Sequence, residues 1–191
     1  MYTGLIDHIG KVIQLTKNAN TLRLWIETQF TDLEIGESIA ADGICVTVID
    51  PQPHLFVCDI SPETYRLTTT KYYQHNQLIN LERSLCLSDR LGGHVVMGHG
   101  DKTCSVKTVT VQDECKSMIF SGLTSDDQKY LIKKGCVAVN GVSLTINEVF
   151  LDGFEVMLIP HTLERTNLAF LQMGDHVNIE FDYIARIVLN K

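Results

Sequence analysis

Short apolar runs rich in Val, Ile, Leu and Thr recur along the whole chain, broken every few residues by Gly, Asp or Asn. Such runs read as strands bounded by turns. In the first half they fall at 10–15, 21–26, 38–41, 45–49, 55–60 and 78–83; in the second, at 105–112, 117–121, 136–139, 143–150, 154–159 and 176–181. Six short strands per half predict an all-β chain of two similar six-stranded antiparallel Greek-key barrels, because closing a small sheet removes its exposed edges. Asp42-Gly43, Asn140-Gly141 and Asp152-Gly153 are turn signals, the last between the strands of a hairpin. Helical pattern is sparse. Ser125 as cap, Gln128 three residues on, and Gly135 after Lys133 and Lys134 predict one helix. Residues 183–189 predict a short apolar C-terminal helix. One so short is marginal alone in water, so it is expected to dock on its own barrel or on a neighbouring subunit.

The halves are copies of one another. Asp42-Gly43-Ile44-Cys45-Val46-Thr47-Val48 returns as Asn140-Gly141-Val142-Ser143-Leu144-Thr145-Ile146, a shift of 98. Pro62-Glu63-Thr64 returns as Pro160-His161-Thr162, and Ile79-Asn80-Leu81-Glu82 as Val177-Asn178-Ile179-Glu180, at the same shift. A period this long means duplicated domains. The expected division is 1–93, 94–182 and a C-terminal helix at 183–191. Doubling a site suits a protein that holds two similar molecules at once.

Composition narrows the function. A formal charge of −7 opposes non-specific nucleic-acid binding, which needs a basic surface; with only 7% aromatics, an oligonucleotide-binding barrel is also disfavoured. The six cysteines are scattered without a CxxC pair, and no signal peptide or membrane-length apolar run is visible. Reduced thiols in a cytoplasmic protein are therefore expected. His94, His99 and Cys104 form no usual zinc spacing, so no metal is expected.

Four motifs resemble the riboflavin synthase family. They are Met1-Tyr2-Thr3-Gly4-Leu5-Ile6, Gly92-Gly93-His94-Val95-Val96-Met97-Gly98-His99, Gly141-Val142-Ser143-Leu144-Thr145, and Ile159-Pro160-His161-Thr162-Leu163-Glu164-Arg165-Thr166. They keep family order, and the likeness runs from Met1 to about Asp182. The resemblance implies a transferase of riboflavin biosynthesis, in which two molecules of 6,7-dimethyl-8-ribityllumazine exchange a four-carbon unit. The products are riboflavin and 5-amino-6-ribitylaminopyrimidinedione, and no metal or redox cofactor is needed. It also implies a homotrimer whose N-terminal barrel faces a neighbour's C-terminal barrel, with an association with lumazine synthase left open. The alternative is a non-catalytic lumazine- or flavin-binding protein of the same fold.

The candidate chemistry follows. His99 is the first choice for proton transfer, since imidazole gives and accepts protons near neutrality and Gly98 and Gly100 leave it open to a ligand. Cys45 and Ser143 occupy one place in the two copies, each followed two residues on by threonine (Thr47, Thr145); either could help an adduct form. A buried thiol for Cys45 and turn or strand bonding for Ser143 and Thr145 are the structural alternatives. By resemblance, Gly4, Leu5, Ile6, Val46, Thr47, Glu63 and Thr64 line the first site with Cys45, Gly98 and His99. Lys134, Leu144, Thr145, Ile159, Pro160 and Thr162 line the second with Ser143. Asp59, Ile60 and Ser61 beside Pro62, and His161, Leu163 and Glu164 beside Pro160, extend each wall toward the pteridine edge. Ser38 and Asp182 are expected to orient His99 or the ribityl chain. His161 stands where the family usually has glutamate, and Asn140 where it often has aspartate, which changes the polar grip expected of the second site.

Overall fold

The computed structural model describes residues 1–18 and 21–189. Strands β1 (His8–Asn18), β2 (Thr21–Glu27), β3 (Ser38–Ala41), β4 (Ile44–Thr47), β5 (Asp50–Gln52), β6 (Leu55–Ile60) and β7 (Leu78–Arg83) form an antiparallel sheet in the order β4-β3-β7-β1-β2-β6-β5. Strands β8 (Lys102–Gln112), β9 (Cys115–Ser121), β10 (Cys136–Val139), β11 (Val142–Phe150), β12 (Gly153–Leu158) and β13 (His176–Phe181) close into a barrel, β10-β11-β12-β9-β8-β13. The two are one design. β4 and β5 end the first sheet on opposite sides, yet only Val48 and Ile49 separate them, and at a shift of 98 they span β11. Pro51, which lacks a ladder N–H, lies within β5, two residues beyond the break. In β11 the same place carries only a register slip between Ile146 and Glu148.

Alternation along the strands builds each core. In β4, Ile44 and Val46 face inward while Cys45 and Thr47 are exposed. Phe56, Leu22, Leu24, Ile26, Ile79 and Leu81 are fully buried in the first barrel, and Phe120, Phe154, Met118, Ile146 and Ile179 in the second. The barrel interiors are therefore solid apolar cores. Cys45, Thr47, Ser143 and Thr145, the expected site residues of the two strands, alternate with these core positions and point away from them.

Helix prediction needs correction. The segment starting at Thr124 makes a single turn, α2 (Ser125–Gln128), with Thr124 in place of Ser125 at its cap; Asp127 binds the Thr124 N–H at 2.7 Å. It stops because the chain must enter β10: Lys134 takes a left-handed φ of 69° and gives its N–H to the Ile146 carbonyl at 2.8 Å. Two helices went unpredicted, α1 (Pro62–Leu67) and α3 (Pro160–Arg165), each with proline in its first turn. Ser61 caps α1 by accepting the Thr64 N–H at 3.2 Å, a signal present in the sequence. The C-terminal helix is α4 (Tyr183–Leu189), and 190–191 lie outside the described residues. Arg186 ties it to Asp101 at 2.6 Å, while Ile184, Ile187 and Val188 remain exposed.

The barrels meet across an approximate twofold. Gly43 and Gly141 sit in the two Asx-Gly turns with φ of 75° and 78°. A Cβ on either would fall within 2.7 Å of the other's backbone nitrogen. Around them Asn80 Nδ2 donates to the Asn140 carbonyl at 2.9 Å and Asn178 Nδ2 to the Asp42 carbonyl at 3.0 Å. Asn80 and Asn178 each also accept a backbone N–H across the junction, from Asn167 and Thr69. The repeated Asn-x-Glu block thus supplies the docking bonds.

Asp42 breaks this symmetry. Its carboxylate accepts the Asn80 N–H, the Asn167 amide and the Tyr73 hydroxyl, at 2.8, 2.8 and 2.7 Å. Desolvation outweighs these bonds and pushes its pKa up to about 7 from the ordinary 3.8. The folded chain therefore keeps a proton that the unfolded chain has released, and ionisation costs stability as pH rises through that window. Asp42→Asn, which copies Asn140, should gain on the native protein between pH 5 and 8 by on the order of a few kcal/mol in urea unfolding. Parallel stability curves for the two proteins would contradict this.

Candidate active site

The segments before the two barrels cross over. Tyr2 and Val96 pair antiparallel between them, exchanging N–H···O bonds of 2.7 and 3.0 Å. From this ribbon the linker reaches the first barrel: Cys45 N–H donates to the Gly98 carbonyl at 2.7 Å, and His99 bridges to Ile44. The N-terminus reaches the second, where Ser143 N–H donates to the Gly4 carbonyl at 2.9 Å. Both contacts need glycine. With φ of 80° and 78°, a Cβ on Gly98 or Gly4 would lie 2.7 Å or 2.5 Å from the Cβ of Cys45 or Ser143.

On the first barrel Cys45, Thr47 and His99 are exposed, and Ser38 pairs with Thr47 across β3 and β4. Tyr2 donates its hydroxyl to Cys45 Sγ at 3.1 Å; burial, with the Cys45 contact second, raises the phenol so that it stays protonated. A protonated phenol steadies a thiolate or a developing negative charge. Ser61 and Glu63, both exposed, and half-buried Thr64 stand at the start of α1, where Glu63 pairs with Arg66 at 2.8 Å. Asp59, also exposed, pairs with Arg23 at 2.7 Å.

On the second barrel Ser143 is half-buried and Thr145 exposed, with Cys136 paired to Thr145 where the first barrel has Ser38. Ser143 Oγ lies 2.7 Å from His94 Nδ1, and His94 Nε2 is buried without a hydrogen-bond partner. Desolvation lowers the His94 pKa, opposed by the charge of Asp182, so the ring is held neutral and able to take the serine proton. Ile159, Pro160, His161, Thr162, Leu163 and Glu164 lead into and form α3, and no side chain caps its start because Ile159 replaces Ser61. Lys134 is exposed on its turn.

Several placements differ from the sequence reading. Gly4 and Leu5 belong with Ser143, not Cys45, and Ile6 packs into the second core, because the ribbon crosses between barrels. Val46, Ile60 and Leu144 are core residues by strand alternation, and Gly100 is buried beneath the His99 turn. Asp182 acts electrostatically on His94 and Cys136, on the second barrel rather than beside His99, and its carboxylate receives the Ile184 N–H at 2.9 Å at the start of α4. Tyr2 and His94 escaped notice as site residues because their partners are distant in sequence. A cleft of about 620 Å³ between the barrels, bordered by Asp42, Tyr72, Phe170 and His176, contains none of the predicted site residues.

The lumazine binding domain model matches the chain twice, over residues 3–84 and 97–182. Riboflavin synthase of Brucella abortus is 39% identical, covering 97% of this chain and 95% of its own length. That of Photobacterium phosphoreum is 36% identical over 98% and 87%, and that of Bacillus subtilis 35% over 97% and 87%. Crystal structures of LumP with 6,7-dimethyl-8-(1′-D-ribityl) lumazine and with riboflavin superpose with TM-scores of 0.84 and 0.86 at 22% identity, covering 95% of this chain. The doubled barrel with two such matches defines the class, proteins built from paired lumazine binding domains. Within that class the chain belongs to the riboflavin synthase family.

Gly98→Ala should cost about 1–3 kcal/mol through the forced contact and the left-handed backbone, and should change the rate at which Cys45 reacts with a thiol reagent. Native unfolding together with native thiol reactivity would contradict the tight Gly98–Cys45 approach.

Proposed function

We propose that the chain is a riboflavin synthase, a transferase acting on two molecules of 6,7-dimethyl-8-ribityllumazine. One molecule gives up a four-carbon unit and leaves as 5-amino-6-ribitylaminopyrimidinedione; the other gains it and becomes riboflavin. Atoms and electrons balance between the two, so the reaction needs no external oxidant. The observation that carries this reading is the repeated outward pair on one strand of each barrel, Cys45 with Thr47 and Ser143 with Thr145. It is supported by identities of 32–39% to curated riboflavin synthases over nearly the whole chain.

In this account holding two rings face to face does most of the work, contributing about 7–11 kcal/mol. Positioned acid–base groups add about 10²–10⁴-fold. His99, exposed and free to turn toward a ligand, moves the proton of the acidic 7-methyl group. Cys45 with Tyr2, and Ser143 with His94, stabilise or form the adduct on each side. Glu63, Thr64 and Ser61 serve the ligand at the first barrel, and Thr162, Pro160, His161 and Lys134 at the second, with Ser38 and Asp182 beside them. The division 1–93, 94–182 and 183–191 assigns one ligand to each barrel. Open strand faces suit sites completed by a second subunit in a cytoplasmic homotrimer, and the exposed apolar face of α4 supports such an assembly. Association with lumazine synthase would bring the substrate to it.

The purified protein mixed with the lumazine alone should produce riboflavin fluorescence and one pyrimidine per riboflavin. Tight binding without conversion would instead make it a carrier of the lumazine. His99→Ala should lower kcat by about 10²–10⁴-fold while ligand affinity falls far less; equal loss in both would reduce His99 to a wall residue.

A further inference from the structure

The third repeated block ends in Glu82 and Glu180, which the chemistry above leaves unused. Each is only 4% exposed. Neither is ion-paired among the described residues. A carboxylate taken out of water without a cation is costly unless hydrogen bonds replace its hydration. Those bonds come from consecutive backbone N–H groups folded into a concave nest. Glu180 accepts from Met97, Gly98 and His99 at 2.5, 2.8 and 2.9 Å. Glu82 accepts from the N–H and hydroxyl of Thr3 at 2.7 and 2.8 Å, and from Gly4 N–H at 3.0 Å.

The held peptides are those that touch the reactive residues. Gly98, bound through its N–H by Glu180 of the second barrel, accepts through its carbonyl the Cys45 N–H of the first. Gly4, bound by Glu82 of the first barrel, accepts the Ser143 N–H of the second. Glu180 also fixes the His99 backbone while leaving its ring exposed. We infer that Glu180 is a positioning residue for the Cys45–His99 site and Glu82 for the Ser143 site, so that each barrel shapes the reactive wall of the other. This builds on the proposed activity, since it concerns the same two sites. It accounts for the duplication of the block: Asn80 and Asn178 dock the barrels, and the glutamates two residues on aim the loops trapped between them.

Thiol chemistry separates the two arms without requiring turnover. In a chain carrying Cys86→Ser, Cys115→Ser and Cys136→Ser, Cys45 is the exposed thiol, because Cys58 and Cys104 are buried. Its rate with the aromatic disulfide DTNB reads the Gly98–Cys45 contact directly. Glu180→Gln, which turns one acceptor oxygen into a donor facing donors, should change that rate by about tenfold or more, the scale of hydrogen bonds to a charged group. Glu82→Gln should leave it within about twofold while lowering kcat for lumazine conversion about as strongly as Glu180→Gln. Should either glutamine variant not fold, the aspartate variants keep the charge but withdraw it from the nest, and must give the same crossed pattern. Equal effects of both substitutions on Cys45, or activity losses that merely track thermal stability, would overturn the inference. If the chain converts no lumazine, the thiol result still decides whether Glu180 sets the Cys45 loop.

Discussion

Two backbone-to-backbone contacts govern this molecule: Gly43 against Gly141 at the junction of the barrels, and the crossed ribbon that presses Gly98 on Cys45 and Gly4 on Ser143. Peptides can approach so closely only where no Cβ intervenes and the glycine accepts a positive φ. Once they do, polar groups on both sides lose water and must find partners, and the repeated Asn-x-Glu block provides them. Docking, loop placement and the exposure of the reactive side chains are consequences of one packing arrangement.

Strand alternation then decides what is chemistry and what is core. On β4 and β11 the inward residues join the apolar clusters that fill the two barrels among the described residues. The outward residues stand on the opposite faces, each met by a loop from the crossed ribbon. The copies are similar but unequal. Cys45 is partnered by the Tyr2 hydroxyl on one side, and Ser143 by the His94 imidazole on the other. His99 has Leu5 as its counterpart, so one face carries the free imidazole and the other does not.

The sequence disclosed the duplication and nearly every strand, because period-two alternation is local. It singled out Cys45, Ser143, their threonines and His99, which sit in repeated or glycine-flanked motifs and which the structure places at outward or loop positions. It hid what depends on three-dimensional crossing. Tyr2 and His94 lie more than forty residues from their partners, and Gly4-Leu5 serves the opposite barrel from the one its position in the chain suggested. The helix at 125 runs only to Gln128, because a good cap says where a helix starts and not how long it runs. α1 and α3 were missed because proline after an extended residue reads equally as turn or helix start.

Whether the outward faces of β4 and β11 are two related ligand sites, as proposed, is tested most directly by a crystal structure of the protein with bound riboflavin. Flavin rings are expected against Cys45, Thr47 and His99 on one barrel and against Ser143 and Thr145 on the other. Flavin bound instead in the cleft between Tyr72 and Phe170, with both strand faces bare, would contradict it.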